Sequence, residues 1–293
     1  MHDGEVGIDS ALVRRLVAAQ FPRFADRAVR AVDSSGTVNA IYRLGDDLYV
    51  RLPRVSRWAR DLEQELRWLP RLAAFLSLQI PQPVAAGRPA NGYPFCWAIY
   101  RWIDGRPYTD ETVDDERRAA EDLAQFVAEL RRVDPAAGTP PRGGRRPLAE
   151  LDPVTREAIT SARNVIDSSA ALAAWEHALA APVWDGRPTW VHADLLRPNL
   201  LVRGGRLCGV LDFGSAGVGD PAADIIAAWS VFGPRGRSTF CRALEVDEGT
   251  RTRAMGFALH QAALIIPYYR QTNPTFAALA VRTVEEIVGE KGS

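Results

Sequence analysis

The sequence predicts an α+β protein with two lobes, of which the N-terminal lobe is rich in sheet and the C-terminal lobe is mainly helical. The chain has 293 residues, which is long for one hydrophobic core and comfortable for two lobes. Runs with strand character concentrate before Asp104-Gly105, and helical periodicity dominates after it. We therefore expect an N-terminal lobe at residues 1–103 and a C-terminal lobe at 104–293.

The N-terminal lobe is expected to begin with a helix and a hairpin. Ser10 precedes a run with apolar residues at helical spacing, so it is expected to cap that helix. The β-rich runs 40–44 and 48–52 flank Gly45-Asp46-Asp47, a pattern typical of a tight hairpin.

The rest of this lobe is predicted as one helix and two strands. Trp58, Leu62, Leu66 and Leu69 share a helical face, and Pro70 is expected to end or kink the helix. The strands are expected in IPQPVAAGRP and YPFCWAIYRWIDG, the second ending at Asp104-Gly105.

The C-terminal lobe reads as helices that flank one small hairpin. Helical patterns occupy DDERRAAEDLAQFVAELRRV and two later segments, and the Pro-, Gly- and Arg-rich stretch 134–147 between them is expected to be an exposed loop. Short β runs at 200–202 and 207–211 are joined by Gly204-Gly205, and helical character resumes beyond Asp220.

Composition excludes several classes of protein. The 36 basic and 36 acidic residues balance, whereas broad nucleic-acid binding needs a basic field. The three cysteines are far apart and form no CxxC pair, so we expect neither a zinc site nor a disulfide framework. The N-terminal segment is amphipathic, and no apolar run reaches the ~18 residues of a membrane span. A cytoplasmic protein is therefore expected, with no nucleic-acid or membrane partner.

The stretch VHADLLRPNLLVRGGRLCGVLDFGSA carries the chemistry. It contains His192, Asp194 and Asn199 in the order H-x-D-x-x-x-x-N, then a hairpin, then Asp212-Phe213-Gly214. Burying an unpaired carboxylate is expensive, so acids among apolar residues need a purpose. Phosphoryl transfer supplies one, because an acid orients the acceptor hydroxyl and takes its proton while an Asn and a second acid hold Mg²⁺ against nucleotide phosphates.

These motifs resemble the aminoglycoside phosphotransferase family, within the protein-kinase-like fold. The resemblance rests on VHADLLRPNLLV with GVLDFGSAGVGDPAAD, and extends to SSGTVNAIYRLGDDLYVRLPR, EQELRWLPRLA and PYYRQTNP. It implies that Asp194 is the catalytic acid/base, that Asn199 and Asp212 are Mg²⁺ ligands, and that ATP or GTP is the phosphate donor. Leu196 stands where protein kinases carry a lysine, which favours a small-molecule kinase.

The resemblance also implies a nucleotide site in the N-terminal lobe. Arg51 occupies the position of the usual strand lysine, and Glu65 is its expected partner on the following helix. Arginine keeps the charge but is longer and planar. The residues Ser35, Gly36 and Thr37 resemble the nucleotide-covering loop, and Trp102 with Ile103 matches the segment whose backbone meets the purine.

Further residues are expected to support the site or to bind the acceptor. His192, Asp220 and Asp224 are interpreted as structural support for the loop of Asp194. The acceptor is expected between that loop and the helices after Asp220, with candidate contacts at Trp229, His260, Tyr268, Tyr269, Glu285 and Glu286.

The acceptor itself is left open by the sequence. An aminoglycoside leads, which would make the protein an antibiotic-resistance enzyme, and a polyamine of this kind should meet converging acids. A macrolide would instead meet a mainly aromatic and aliphatic wall. The alternatives are a choline, sugar or amino-alcohol kinase, or a catalytically inactive nucleotide-binding regulatory module.

Overall fold

The computed structural model of the protein describes residues 6–32, 39–135 and 143–290. Contacts within the chain divide it into two compact units, Met1–Gly105 with Gly209–Gly214, and Arg106–Cys208 with Ser215–Ser293. We call these the first unit and the second unit. The segment 209–214, which contains the DFG motif, thus belongs to the first unit although it follows strands of the second in sequence.

An antiparallel sheet forms the centre of the first unit. In its described residues the strand order is β1-β2-β3-β5-β4. The strands are β1 (Val29–Ala31), β2 (Asn39–Leu44), β3 (Leu48–Pro53), β4 (Pro83–Gly87) and β5 (Trp97–Arg101). The β2–β3 hairpin closes at Leu44 opposite Leu48, and Gly45 takes a φ of 66° that favours glycine. The hairpin predicted around Gly45 is confirmed.

Two helices complete the first unit, α1 (Ser10–Gln20) and α2 (Ser56–Leu72). The prediction that Ser10 caps α1 is wrong, because the carboxylate of Asp9 accepts from the amide of Leu12 at 2.7 Å and Ser10 is already helical. Helix α2 runs through Pro70 and ends two residues later. Leu62 and Leu69 on α2 are buried, whereas the side chain of Trp58 lies outside the described part of the chain.

The second unit is mainly helical. Its helices are α3 (Glu116–Arg131), α4 (Leu148–Ser161), α5 (Ser168–Leu179), α6 (Ala222–Ile225), α7 (Ala227–Ser230), α8 (Pro234–Ala243), α9 (Glu248–Tyr269) and α10 (Pro274–Glu290). Helix α9 packs against α4, α5, α6 and α10, and every residue from 253 to 260 is buried. A helix buried around its whole circumference forms the core of its unit.

Short strands of the second unit flank the functional motif. Strands β6 (Arg106–Pro107), β8 (Leu200–Arg203) and β9 (Arg206–Val210) form one small sheet, and β7 (Trp190–Val191) pairs with β10 (Gly217–Val218). The loop 192–199 therefore begins at the end of β7 and ends at the start of β8. No helix in the described ranges is long and apolar enough to cross a bilayer.

Candidate active site

Asp224 fixes the backbone at the start of the loop 192–199. Its Oδ1 accepts from the amides of His192 at 2.9 Å and Ala193 at 2.8 Å. Ala193 has a φ of 64°, in the left-handed region that side chains disfavour, so the two bonds hold a strained turn. Asp224 is fully buried, and burial raises the pKa of its carboxyl while the two amides oppose that rise.

Asp194 follows this turn, and both oxygens of its carboxylate accept amide hydrogens. Gln261 Nε2 donates to Oδ1 at 2.6 Å, and Asn199 Nδ2 donates to Oδ2 at 2.8 Å. The amide of Asp194 donates to Nδ1 of the buried His192 at 3.2 Å. Two amide donors set the plane of the carboxylate, which is half-buried.

Asn199 is oriented by the same contacts. Its Nδ2 also donates to the carbonyl oxygen of Asp194 at 2.9 Å. Because Nδ2 of Asn199 donates to two oxygens of Asp194, the amide oxygen Oδ1 of Asn199 faces away from Asp194. No described residue donates to this Oδ1. A carbonyl oxygen in this situation is the kind of ligand that Mg²⁺ takes.

The second half of the loop is held by charged and polar contacts. Arg197 is buried, and its guanidinium donates to both carboxylate oxygens of Asp110, at 3.2 and 2.7 Å. Its Nε donates to the carbonyl of Val231. Ser230 Oγ donates to the carbonyl of Leu195 at 2.8 Å. A bidentate pair fixes geometry more tightly than a single charged contact.

Asp220 ties α6 to α9. Its Oδ1 accepts from the amide of Ala222, and Arg253 donates to both of its carboxylate oxygens, at 2.8 and 3.2 Å. Asp220 therefore supports the element that carries Asp224.

Arg145 places a half-buried cation in the second unit. Burial lowers the pKa of its guanidinium, and the charge of Asp194 opposes that shift. It follows Gly143 and Gly144, whose amides donate to the carbonyls of Val218 and Ser215. Leu196 occupies the position of the kinase lysine, and Arg145 is a cation that interacts electrostatically with Asp194.

In the first unit, Arg51 forms the ion pair that the resemblance implies. Its Nη1 lies 2.5 Å from Oε2 of Glu65, and both residues are buried. With the Asn39 amide turned as its neighbours require, its oxygen accepts from Nε and Nη2 of Arg51 at 3.0 Å each. Burial alone would lower the pKa of Arg51, but the carboxylates of Glu65 and Asp212 raise it, so the guanidinium is charged.

Asp212 lies beside this pair and is the more exposed carboxylate. Its Oδ1 is 4.0 Å from Nη2 of Arg51, and its side chain is 53% exposed. Its φ is 60°, while the neighbouring Phe213 is buried. The backbone turn thus buries the phenyl ring and leaves the carboxylate accessible.

The structure describes only some of the other residues predicted to bind the nucleotide. The amide of Trp102 donates to the carbonyl of Asp47 at 2.8 Å, and the guanidinium of Arg43 lies 4.0 Å from its ring. Ile103 is buried. Ser35, Gly36 and Thr37 lie outside the described residues. Purine contact at Trp102 and Ile103 stays a prediction.

The predicted acceptor residues do not form a single cluster. Trp229 is fully buried, and its Nε1 donates to Glu290 at 2.8 Å. Glu286 pairs with Arg237, and with Glu285 and Glu290 it lines a charged surface pocket. Acceptor contact at these residues stays a prediction.

The other three lie elsewhere. His260 is buried with Nδ1 2.7 Å from Thr155 Oγ1, and burial lowers the pKa of its imidazole to about 4, with the charges of Arg145 and Arg146 adding to the shift. Tyr268 is 54% exposed, and its ring meets that of Tyr269 edge to face. Acceptor contact at His260, Tyr268 and Tyr269 also stays a prediction.

Sequence reasoning missed Gln261, which contacts Asp194 directly. Gln261 shares a helical face with Ala258, Ala262 and Ile265, so a polar residue on an apolar face was the available signal. It also missed Asn39, whose role depends on pairing between β2 and β3.

The described residues offer oxygen ligands of the kind that Mg²⁺ binds, but they do not form a complete metal site by themselves. Within the described ranges, no group of three or more His, Cys, Asp or Glu side chains could hold a metal ion by itself. Mg²⁺ usually binds one or two carboxylates together with substrate phosphates. Taken separately, the accessible carboxylate of Asp212 in the first unit and the oriented Asn199 oxygen in the second are ligands of that kind.

Comparison with known proteins gives one family match and one curated relative. The model of the phosphotransferase enzyme family (APH) matches residues 30–257. The uncharacterized protein YcbJ of Bacillus subtilis (strain 168) is 29% identical over 163 residues, 53% of this chain and 50% of that protein. The chain thus spans about half the length of the curated relative it matches.

Solved structures share the fold. The GDP and kanamycin complex of APH(2")-IIia superposes with a TM-score of 0.75 at 20% identity, covering 95% of this chain and 98% of the other. Macrolide 2'-phosphotransferase MphH from Brachybacterium faecium gives a TM-score of 0.60 at 22% identity, covering 94% and 98%. At these identities the likeness shows the fold alone, and it confirms the kinase-like fold class expected from the sequence.

Proposed function

This chain belongs to the phosphotransferase enzyme family, and we propose that it transfers the γ-phosphoryl group of a nucleoside triphosphate to a hydroxyl of a small molecule. The observation that carries the proposal is the Asp194 carboxylate, held by two amides on a loop that Asp224 fixes. A carboxylate oriented in this way is the group that an acceptor hydroxyl requires.

Asp194 is the proposed general base. A carboxylate accepts up to about four hydrogen bonds, so its two amide contacts are compatible with a further bond from the acceptor hydroxyl. As the hydroxyl oxygen bonds to the γ-phosphorus, the bond from that phosphorus to the β–γ bridging oxygen breaks, the nucleoside diphosphate leaves, and Asp194 takes the hydroxyl proton. Such a base contributes roughly 10²–10⁴-fold to the rate.

Asn199 and Asp212 are the proposed Mg²⁺ ligands. When bound, Mg²⁺ would neutralise charge on the nucleotide phosphates. Asn199 offers Oδ1 because its nitrogen is held by Asp194, and Asp212 offers an accessible carboxylate. We keep both ATP and GTP as candidate phosphate donors, because the residues proposed here would contact the phosphates, which the two nucleotides share.

Arg51 is the proposed phosphate-binding cation. Glu65 and Asn39 fix its guanidinium, so the charge is oriented before a nucleotide arrives. A planar guanidinium with several donors can bind phosphate oxygens in a bidentate manner.

The acceptor is proposed to be an antibiotic hydroxyl, and two classes compete. An aminoglycoside follows from the family resemblance and from a solved relative that binds kanamycin. A macrolide is favoured by the mainly apolar lining of a small pocket beside the 192–199 loop, because none of its described lining residues is acidic, although its volume of about 20 Å³ is far below that of a ligand pocket. The lining is Leu196, Arg197, Pro198, Ser230, Ala258, Gln261, Ala262, Ile265, Phe276, Leu279, Ala280 and Thr283.

That lining weighs against a polyamine. Each ammonium of an aminoglycoside needs a negative partner, whereas an apolar wall suits a macrolide ring. The one charged side chain in the lining, Arg197, is a cation already paired with Asp110. The lining favours a largely apolar acceptor and the family resemblance favours an aminoglycoside, so we keep both as candidates.

The proposal is tested by a screen of hydroxylated small molecules. Macrolides, aminoglycosides, choline and simple sugars are incubated with ATP or GTP and Mg²⁺, and phosphorylated products are detected by mass. A macrolide product supports the apolar acceptor, and an aminoglycoside product supports the class that the family resemblance implies. Nucleotide binding without any product would favour the inactive regulatory module instead.

A further inference from the structure

We infer that Gln261 is a positioning residue that holds the Asp194 carboxylate in its reactive orientation at the expense of stability. The inference rests on the proposed function and extends it. Gln261 lies on α9, 67 residues from Asp194 in sequence, and its Nε2 donates to Asp194 Oδ1 at 2.6 Å. No sequence motif contains both residues.

The other end of the Gln261 amide is unsatisfied. Its Oε1 is buried and accepts no hydrogen bond in the described structure. A buried acceptor without a donor is destabilising, and native folds contain few such groups. Packing alone therefore does not explain a glutamine at this position.

The surroundings of Gln261 are those of an apolar residue. On its own helix it lies between Ala258, Ala262 and Ile265, and across the same pocket are Leu279 and Ala280 of α10. An unbranched apolar side chain of similar length, such as methionine, would fill this space without an orphaned oxygen. What methionine lacks is the N–H that Asp194 accepts.

Asp194 needs that second donor for orientation. Asn199 donates to Oδ2 and Gln261 donates to Oδ1, so each carboxylate oxygen has its own amide donor. The Gln261 bond to Oδ1 fixes the plane, and a base must be aligned with the proton it removes. The polar contact on one side accounts for the unsatisfied oxygen on the other.

The test measures stability and kinetics on Gln261→Met in the full chain, with Gln125→Met as the matched control. Gln125 is exposed on α3 and bonds to Glu129, so its replacement should change neither quantity. For Gln261→Met we expect a Tm equal to or above wild type, a kcat lowered roughly tenfold, and a nucleotide KM within about twofold of wild type. A residue that only supports the fold would instead lower Tm and leave kcat unchanged.

Gln261→Glu is the second variant and guards against misfolding of the first. It keeps the size of the side chain but faces Asp194 with a second carboxylate, so we expect kcat to fall roughly 100-fold or more. A wild-type kcat in either variant, or a fall in Tm that accompanies the fall in kcat of Gln261→Met, overturns the inference. If wild-type protein phosphorylates no acceptor, the proposed function fails before the variants are compared, and the inference falls with it.

Discussion

Arg51 and Glu65 form a buried ion pair, with Nη1 2.5 Å from Oε2, on neighbouring elements of the first unit. The pair joins β3 to α2. Burial raises the pKa of Glu65 to about 7, against the opposing charge of Arg51. Its second oxygen, Oε1, is buried without a hydrogen-bond partner in the described structure, so the acid depends on Arg51.

Replacing Arg51 should therefore affect both binding and stability. We expect Arg51→Ala to raise the nucleotide KM by roughly tenfold and to destabilise the protein by about 3–5 kcal/mol, because it leaves a buried acid unpaired. Arg51→Lys should restore only part of the nucleotide affinity and part of the stability, since lysine keeps the charge but lacks the planar guanidinium and its paired donors. Steady-state kinetics and urea unfolding measure these quantities.

The control for this prediction is Arg27→Ala, which breaks an ion pair with the exposed Asp47 in the same unit. It should leave nucleotide KM near wild type. A nucleotide KM in Arg51→Ala that matches wild type would contradict the role given to Arg51.

The proposed metal ligands predict unequal losses. Asp212→Ala should abolish the Mg²⁺ dependence of nucleotide binding, and Asn199→Ala should weaken it less, because a charged ligand contributes more at a hard cation than a neutral carbonyl. Titration calorimetry with and without Mg²⁺ measures the difference. If Asp212→Ala binds nucleotide with the metal dependence of wild type, Asp212 is not a ligand.

Asp224 should matter for the loop without touching the acceptor. Asp224→Ala leaves the amides of His192 and Ala193 without their acceptor, at about 1–3 kcal/mol for each buried donor. We expect lower stability and a lower kcat together. Asp224→Asn keeps an acceptor oxygen and should lie between wild type and Asp224→Ala, as judged by urea unfolding and turnover; equal losses in both variants would argue against this role.

These contacts show how far the sequence could predict the site. Asp194, Asn199 and Asp212 stand in a motif with fixed spacing, so the roles proposed for them could be suggested from local order alone. The amide partner Gln261 could not, because a contact between α9 and the 192–199 loop depends on how helices pack rather than on spacing. The same limit applies to Asn39.

The order of the secondary-structure elements was easier to predict from the sequence than the packing of side chains. Turn residues such as Gly45 and helical periodicity predicted the order of elements. Helical periodicity does not distinguish a buried face on α9, because α9 is buried on all sides between 253 and 260. His260 could therefore not be recognised from its spacing as a core residue. Trp229 is likewise buried with its own partners.

His260 predicts a dependence of stability on pH. Its pKa is lowered from 6.5 to about 4 in the folded protein, so the unfolded chain binds the proton first as pH falls. The stability it contributes is full above pH 6.5 and is lost as pH falls from 6.5 towards 4, by at most about 1.4 kcal/mol per pH unit.

His260→Gln removes this ionisable group, so the fall in unfolding free energy between pH 7 and pH 5 should become shallower than in wild type. Urea unfolding at several pH values measures it. His177→Gln serves as the control because His177 is exposed on α5. An unchanged pH dependence in His260→Gln would contradict the assignment.

The central claim is that Asp194 is the base of a phosphoryl transfer, and the direct measurement is turnover of Asp194→Asn with an acceptor found by the screen. Asp185→Asn, at an exposed aspartate of the second unit, is the matched control. We predict that Asp194→Asn binds nucleotide with an affinity near wild type while kcat falls by roughly 10²–10⁴-fold, and that Asp185→Asn retains full activity. A kcat for Asp194→Asn within a few-fold of wild type would contradict the account.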